Sequence, residues 1–478
     1  MSDTTPRNHA GSAASGVRHR LFEPLYSADE MRAAEELYPA YPESIPELME
    51  RAGAAVAREA MLAFPEARSF ACVCGGGSNG GDGRVAARVL REAGHMVEET
   101  TEPDGYEVIV DALFGTGFRG APRPEAAELI ERINATSAPV VSVDLPSGVD
   151  ASTGEVAGAV VDADLTVTFH APKVGLVVAP GRFHAGRVVV ADIGLEPAST
   201  LHRRATPELL SIVSRRGTRD TKYSSGSVLV VGGAPGLTGA ACLSAMAALR
   251  ADAGYVTLAV PDEALPAAEA LALEPVKVGW RDADAADTIA RAAERATALA
   301  IGPGLGRDDG RRALVRELLE RLAIPAVVDA DALFGLEPLA RDAPTVLTPH
   351  AGELARLLGT DSDWVGEHRL AAAQQAADRF GAVVLLKGAD TIVATPGEGV
   401  VVCDLGPPSL ATAGTGDVLT GIVGAFLGKG LGPQLAAAAA AVAHAQAATH
   451  VQHRSGLIAS DLLEALPTAL DSHLTTSN

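Results

Sequence analysis

Short apolar runs that end in glycine turns bearing an aspartate or a serine recur along this chain and constrain its fold most. Ser69–Cys74 precedes the glycine-rich segment Gly75–Gly83, Val108–Phe114 precedes Gly115–Gly120, and a third run ends at Asp144. In a parallel sheet the carboxyl ends of the strands line one edge, where ligands bind. Hydrophobic residues make up 47% of the chain and aromatic residues only 4%, which is typical of parallel sheets covered by helices on both faces. The sequence therefore predicts an α/β protein.

The charge and the cysteines exclude several classes of protein. The formal net charge of -21 over 478 residues argues against a surface for nucleic acid or for an anionic membrane. Four scattered cysteines cannot form a disulfide framework, and Cys72 and Cys74 are predicted to be buried strand residues. No apolar run has membrane-spanning length, and residues 1–20 lack the apolar region of a secretory signal. We expect a disordered tail over 1–20 and a cytoplasmic protein.

Polar side chains at the strand ends of the first half are candidates for binding and catalysis. The oxygens of Asn79, Asp111 and Ser147 could surround a hard monovalent or divalent cation. The N–H groups of Gly115–Gly120 are suited to a phosphate, and Asp144 is the candidate acid or base. Taken singly, each loop could also be a structural glycine turn with a capping aspartate.

Two polar residues follow a further strand that ends at Phe169. Lys173 either neutralises a phosphate or is a solvated surface residue, and the sequence leaves both readings open. His170 is expected to be a packed or capping residue rather than a base.

The second half repeats the alternation of strands and helices and closes on Gly414–Asp417, directly before an apolar helical run from Val418. Glycines let the backbone turn with its N–H groups facing one concavity, and the helix N-terminus adds partial positive charge. Such a site suits a phosphoryl group in transfer, and Asp417 stands where a carboxylate could take a proton from an attacking hydroxyl. The alternative is a glycine turn in which Asp417 only caps a core helix.

Four motifs of the first half together resemble the NAD(P)H-hydrate epimerase domain. They are Gly77–Gly83, Val110–Gly117, Val143–Gly148 and Phe169–Lys173. The resemblance implies that Asn79, Asp111 and Ser147 hold K⁺ and that Asp144 touches the substrate. The substrate-binding residues that it implies are Ser78, Asn79, Gly80, Gly81, Asp82, Gly115, Thr116, Gly117, Phe118, Arg119, Gly120 and Asp144. Ser78 departs from the family pattern, which usually has Asn there.

The order of elements in the second half resembles the ribokinase-like fold, and four motifs within it resemble the ADP- or ATP-dependent NAD(P)H-hydrate dehydratase. These motifs are Gly302–Gly306, Leu347–Glu353, Lys387–Gly388 and Gly414–Asp417. The implied contacts to the hydrated nicotinamide nucleotide are Ala240, Gly304, His350 and Asp417. The implied contacts to the adenine nucleotide are Lys387, Gly388, Ala389, Asp390, Thr391 and Gly416.

Two residues of the Leu347–Glu353 motif have alternatives or departures. His350 could instead cap a helix, and Ala351 stands where the family usually has Pro. Glu353 is expected to orient Mg²⁺ through water, as acidic residues do in such folds.

The order of the two halves resembles that of bifunctional NAD(P)H-hydrate repair enzymes. We expect a Rossmann-like epimerase domain over 21–200 and a ribokinase-like dehydratase domain over 201–478, each a three-layer sandwich. The expected function is epimerisation of R to S NAD(P)H hydrate, then dehydration of the S form with ADP or ATP, K⁺ and Mg²⁺. We expect a homo-oligomer without nucleic-acid or membrane partners. The alternative is a small-alcohol kinase, for a hydroxymethyl-pyrimidine or a sugar, joined to a nucleotide-sensing binding domain.

Overall fold

The computed structural model describes residues 21–219, 221–222, 225–338, 340–453 and 455–472. Within them the chain forms two compact units. The first contains residues 24–202 and 366–371, and the second contains the remaining described residues. The predicted tail over 1–20 lies outside the described residues.

The first unit is built on a six-stranded sheet in which neighbouring strands run parallel. Its strands are β2 (Ser69–Cys74), β3 (Met96–Glu99), β4 (Val108–Ala112), β5 (Val140–Val143), β6 (Leu165–Phe169) and β7 (Arg187–Ala191). Their spatial order is β3-β2-β4-β5-β6-β7. The glycine turns after β2, β4 and β5 therefore share one edge of the sheet.

Helices cover both faces of this sheet. They are α1 (Ala28–Glu36), α2 (Ile45–Ala63), α3 (Ser78–Glu92) and α4 (Pro124–Ala135). Along β2, Phe70 and Cys72 face one apolar cluster with α2 and α3, whereas Ala71 and Val73 face another with α4. This alternation is the period of a strand that is buried on both sides, as the run Ser69–Cys74 predicted.

The second unit is built on an eleven-stranded sheet. Its strands are β1 (Phe22–Leu25), β8 (His202–Ala205), β9 (Ser227–Val231), β10 (Tyr255–Pro261), β11 (Val276–Trp280), β12 (Ala298–Ile301), β13 (Ala326–Val328), β14 (Thr345–Leu347), β15 (Val383–Leu386), β16 (Thr391–Ala394) and β17 (Val400–Cys403). Their order is β1-β8-β17-β16-β15-β14-β13-β12-β9-β10-β11, and β16 runs antiparallel to both of its neighbours. The carboxyl ends of β13, β14 and β15 therefore lie side by side.

Many small residues pack the helices of this unit against its sheet. They are α5 (Thr238–Arg250), α6 (Leu265–Leu271), α7 (Ala285–Ala292), α8 (Asp309–Arg321), α9 (Ala351–Leu358), α10 (Ser362–Glu367), α11 (Arg369–Phe380), α12 (Thr415–Gly428), α13 (Pro433–His450) and α14 (Ala459–Asp471). Residues 436–443 of α13 are buried alanines with one valine, so helices approach the sheet closely. The two parallel-rich sheets with helices on their faces confirm the predicted α/β class. Among the described residues, no helix is both long and apolar enough to cross a membrane.

Candidate functional sites

A cavity of about 660 Å³ lies in the first unit at the carboxyl edge of its sheet. The predicted substrate-binding residues that line it are Ser78, Asn79, Asp82, Gly115, Thr116, Gly117, Phe118, Arg119 and Asp144. Three predicted glycines are not among its lining residues. Gly80 contacts the backbone of Gly75, Gly81 contacts Met49, and Gly120 lies in the exposed loop after β4. The strand ends thus build one common pocket, as their pattern predicted.

The glycine segment after β2 is shorter than its composition suggests, because α3 already begins at Ser78. A Cβ atom on Gly80 would stand 1.9 Å from the carbonyl oxygen of Gly75, so only glycine lets the helix start so close to the strand. Asn79 and Asp82 therefore lie three residues apart on a helix, where side chains share a face.

Asp144 is held by a buried lysine. Asp144 has a φ angle of +67° and is only 6% exposed. Its Oδ1 atom accepts hydrogen bonds from Lys173 Nζ at 2.6 Å and from Thr168 Oγ1 at 2.9 Å. The interpretation of Lys173 as a solvated surface residue was wrong: the side chain is fully buried, and its remaining donors go to Thr168 Oγ1 and the carbonyl of Phe169. His170 packs on the ring of Tyr26, as a packed residue was expected to do.

Two further carboxyl groups line the same cavity, Asp82 on α3 and Glu35 on α1. Burial, reinforced by the charges of Asp144 and Glu35, raises the pKa of Asp82 to about 8. Burial and then Asp144 also raise the pKa of Glu35. Glu35 lies near the end of an amphipathic helix that carries no functional motif, so no sequence pattern indicated that it would reach this site.

Two of the predicted cation ligands, Asp111 and Ser147, are in direct contact, and Asp111 is completely buried. Its carboxylate accepts hydrogen bonds from Ser142 Oγ at 2.9 Å, from Ser147 Oγ at 2.6 Å and from Ser147 N at 2.9 Å. Burial raises the pKa of Asp111, while the hydrogen bonds from Ser147 oppose that rise. A bound cation would favour the charged form of this carboxyl group.

Asn79 completes this set from the start of α3. Its Nδ2 atom is buried and has no hydrogen-bond partner among the described residues. A Cβ atom on Gly115 would stand 2.8 Å from Asn79 Oδ1, so the glycine keeps that oxygen accessible. Among the described residues, no three His, Cys, Asp or Glu side chains are grouped to hold a metal ion. Carboxylate, amide and hydroxyl oxygens are nevertheless the donors that a hard cation takes, so this set fits one.

In the second unit, the candidate anion site is the first turn of α12. Its N-cap is Gly414, whose φ angle of +87° is a conformation that favours glycine. The first N–H groups of a helix have no partner within it, and those of Gly416 and Asp417 occupy this position, whereas the N–H of Thr415 donates to the carbonyl of Thr412. Ser244 Oγ donates to the carbonyl of Asp417 at 2.7 Å and fixes this turn against α5.

Asp417 lies at this turn with an unusually basic carboxyl group. Burial, then the negative charge of Asp329, raises the pKa of Asp417 to about 7, and Lys387 opposes the rise. Thus Asp417 is partly ionised at neutral pH, as a proton acceptor working there must be.

Lys387 connects three elements beneath the anion site. Its Nζ atom lies 2.8 Å from Asp329 Oδ1 and 3.8 Å from Glu353 Oε2. Burial opposes its charge, but Asp329 and Glu353 outweigh it and raise the pKa of Lys387. A Cβ atom on Gly416 would stand 3.4 Å from Lys387 Nζ, so the ammonium group lies directly under the glycine turn. Asp329 also accepts a 2.5 Å hydrogen bond from Thr420 Oγ1 on α12.

His350 has the capping geometry that was its alternative reading. It is the N-cap of α9, where its Nδ1 atom accepts from Gly352 N at 3.0 Å. Glu353 completes the capping box by accepting from His350 N at 2.9 Å. The His350 side chain is nonetheless 56% exposed, so capping leaves much of its ring open to a ligand.

The other predicted contacts of this unit lie on neighbouring loops. Ala240 belongs to the first turn of α5, and the carbonyl of Gly304 accepts from Ala234 N in the loop before that helix. Gly388, Ala389 and Asp390 form the turn between β15 and β16, and Thr391 begins β16 with its Oγ1 atom donating to Gly388 O at 3.0 Å.

Asp329 and Thr420 are polar residues of this site to which the sequence analysis gave no role. Asp329 directly follows β13, so the strand-end pattern that singled out Asp111 and Asp144 could also have found it. Thr420 is one turn inside a helix of apolar residues, and nothing in that pattern distinguishes it.

Comparisons with known families agree with both halves of the chain. The sequence profile described as NAD(P)H-hydrate dehydratase matches residues 228–468. The profile described as the YjeF-related protein N-terminus matches residues 46–103 and 96–175.

Curated relatives match over most of the chain. The bifunctional NAD(P)H-hydrate repair enzyme of Moorella thermoacetica is 40% identical over 88% of this chain and 92% of its own length. The enzyme of the same name from Escherichia coli is 35% identical over 90% of this chain and 91% of its own length.

Solved structures match the second half. The ADP/ATP-dependent NAD(P)H-hydrate dehydratase of Bacillus subtilis, co-crystallised with ATP and Mg²⁺, is 28% identical, with a TM-score of 0.51 over 56% of this chain and 97% of its own. A ribokinase-like superfamily protein of Enterococcus faecalis has a TM-score of 0.52 at 24% identity, over 58% of this chain and 98% of its own. These structures confirm the ribokinase-like fold predicted for the second half.

Proposed function

The chain belongs to the family of bifunctional NAD(P)H-hydrate repair enzymes, and on that premise we propose how its two sites perform the two reactions. The protein epimerises R to S NAD(P)H hydrate and dehydrates the S hydrate to NAD(P)H at the expense of ADP or ATP. We assign the epimerase to the cavity of the first unit and the dehydratase to the α12 site of the second. The observation that carries the assignment is the carboxyl group of Asp417, with a pKa of about 7, beside a helix N-terminus and the half-buried lysine Lys387.

In the dehydratase, Asp417 takes the proton of the C6 hydroxyl as that oxygen attacks the terminal phosphorus of the nucleotide. The N–H groups of Gly416 and Asp417 and the ammonium group of Lys387 stabilise the charge on the transferred phosphoryl group. The C6–O bond of the ester then breaks and its electrons leave with phosphate, while the ring nitrogen forms a double bond to C6. Loss of a proton from C5 gives NAD(P)H.

Mg²⁺ would supply positive charge to the nucleotide phosphates at this site. An excess of negative charge supports binding of Mg²⁺ at this site, because the three carboxyl groups of Asp329, Glu353 and Asp417 all interact with the one ammonium group of Lys387. Since Glu353 is occupied by the α9 cap, it would reach the ion through water. His350, Ala240 and Gly304 would contact the nicotinamide nucleotide, and the β15–β16 turn the adenine nucleotide.

In the epimerase, Asp144 moves a proton to or from the C6 oxygen while the bond from C6 to that oxygen opens and re-forms. Its contact with Lys173 supports this role, because it holds the carboxyl group of Asp144 in a fixed position at the cavity wall. K⁺ would be held by Asn79, Asp111 and Ser147, and its charge would favour binding of the substrate phosphates. The loop Gly115–Gly120 would supply N–H groups to the same phosphates.

The test uses the full-length protein with purified R and S NADH hydrates. With S hydrate, ADP or ATP and Mg²⁺, the account expects NADH absorbance to return together with phosphate, and Asp417→Asn to bind nucleotide without turnover. With R hydrate alone, chromatography should show S hydrate forming in the wild type and not in Asp144→Ala. A stable phosphorylated product would instead support the kinase alternative, and near-normal turnover by Asp417→Asn would remove this residue from the mechanism.

A further inference from the structure

Three carboxyl groups line the cavity of the first unit, but only one of them has a cationic partner. Asp144 accepts from the buried ammonium group of Lys173 and from Thr168. Among the described residues, no side chain donates a hydrogen bond to the carboxyl groups of Asp82 or Glu35. Asp144 and Asp82 therefore differ in their surroundings, because an ammonium group lies against the first carboxyl group and no side chain donates to the second among the described residues. Pairs of carboxyl groups in different surroundings divide acid and base roles in other active sites.

The two aspartates reach the cavity from different strand ends. Asp82 lies on α3, which follows β2, and Asp144 directly follows β5. One strand, β4, lies between β2 and β5, so these strands are about 10 Å apart at the usual spacing of neighbours in a sheet. Both aspartates line the same cavity, so a substrate bound there can contact both of them.

We propose that Asp82 is a second catalytic residue of the epimerase, the acid that protonates the departing C6 hydroxyl while Asp144 deprotonates water arriving on the opposite face. The assignment rests on the proposed epimerase function of this cavity. The raised pKa of Asp82, about 8, is consistent with it, because it leaves the carboxyl group protonated at neutral pH.

The step balances without any further reactant. The C6–O bond of the R hydrate breaks, its oxygen leaves as water with the proton of Asp82, and the ring nitrogen supplies the electrons of a double bond to C6. A water molecule then adds to C6 from the other face, the double-bond electrons return to nitrogen, and Asp144 takes the proton released. One proton has moved from Asp82 to Asp144, and exchange with solvent restores both groups. The reverse reaction uses them in exchanged roles.

The pH dependence follows from the charges around Asp82. The charged groups that interact with Asp82 or line the cavity beside it are Glu35, Arg32, Arg119, Asp144 and Lys173. Because the acid works only while protonated, kcat/KM for R hydrate should fall as the pH rises through about 8. Glu35 raises the pKa of Asp82, so its removal should move this fall to lower pH.

The first test is Asp82→Asn in the full-length protein at saturating K⁺, with R hydrate as substrate. An amide cannot donate a proton in this way, so kcat should fall about 100-fold or more while KM changes little. The dehydratase activity of the same molecule toward S hydrate should be unchanged, which controls for the amount of active protein. The exposed Asp104→Asn is the matched control and should behave as the wild type. An Asp82→Asn variant with normal kcat, or with raised KM alone, overturns the proposal.

The second test is the pH profile of Glu35→Gln, with Glu36→Gln on the exposed side of the same helix as its control. The alkaline fall in kcat/KM should move to lower pH in Glu35→Gln and stay in place in Glu36→Gln. An unmoved profile in Glu35→Gln overturns the acid role of Asp82. If Asp144→Asn is inactive and Asp82→Asn is active, only this inference fails; if Asp144→Asn is active, the proposed function of the cavity fails with it.

Discussion

Replacing Asp417 by Asn should change activity and stability in opposite directions. The pKa of this carboxyl group rises from 3.8 to about 7 because it is buried next to other negative charges. Each pKa unit corresponds to about 1.4 kcal/mol, so ionised Asp417 destabilises the native state by about 4 kcal/mol at pH 7. Asn has nearly the same shape and no charge, so Asp417→Asn should remove this destabilisation and the catalytic base together.

The sign of the pH dependence is fixed by the direction of the shift. The native state binds the proton of Asp417 more tightly than the unfolded state does. The carboxyl group therefore destabilises the native state increasingly as the pH rises from the unfolded pKa of 3.8 to the native pKa of about 7. The stability advantage of Asp417→Asn should therefore be absent below about pH 4, grow up to about pH 7 and remain constant above it. Over the same range, kcat/KM of the wild-type dehydratase should rise through about pH 7 as the base ionises.

Thermal unfolding across this pH range and NADH recovery from S hydrate measure the two effects. A stabilisation of 1 kcal/mol raises Tm by about 2–4 °C in a domain of roughly 200 residues, so the unit that holds Asp417 should gain several degrees at neutral pH. Turnover should fall by a factor of about 100 or more. The exposed Asp342→Asn is the control and should change neither quantity. A lower Tm for Asp417→Asn at neutral pH, or an advantage that persists below pH 4, would refute the electrostatic reasoning.

Three further variants test the contacts around the two sites. Lys173→Met leaves a buried carboxylate without its cation, so the first unit should lose about 3–5 kcal/mol by denaturant unfolding, and epimerase activity should be lost. Asp329→Asn removes the carboxylate that contacts the ammonium group of Lys387 and holds it in position. The kcat of dehydration, measured by NADH recovery, should therefore fall about tenfold or more, and an unchanged kcat would contradict this positioning role of Asp329. Gly115→Ala places a Cβ atom 2.8 Å from Asn79 Oδ1, so the K⁺ concentration for half-maximal epimerase activity should rise in a salt titration.

The positions of the sites could be predicted from the sequence because parallel strands bring their carboxyl ends to one edge. That rule needs only local patterns. In the structure Asp111 and Ser147 are in direct contact, and Asn79 and Asp144 line one cavity. A second local pattern predicted the helix N-terminus behind Gly414, because an apolar helical run directly follows the glycine turn.

The partners of these residues could not be predicted, because they depend on contacts between distant segments. Lys173 looks like a surface lysine in the sequence, but it is fully buried because Asp144, 29 residues earlier, offers it a carboxylate. Glu35 reaches the cavity from an amphipathic helix that carries no functional motif. The start of α3 could not be predicted either. Its several glycines suggest a loop, but they lie in the first turns of the helix, where the close approach of helix to strand requires glycine.

The most direct test of two separate sites in one chain is to start from R NADH hydrate with ADP or ATP, Mg²⁺ and K⁺, and follow NADH. Asp417→Asn should convert R to S hydrate without forming NADH. Asp144→Asn should form NADH from S hydrate, but it should form NADH from R hydrate only as fast as R hydrate epimerises without the enzyme. A mixture of the two variants should recover rapid NADH formation from R hydrate, because S hydrate can pass through solution from one molecule to the other. Continued inactivity of the mixture, or full repair by either variant alone, would contradict the assignment of the two reactions to these two sites.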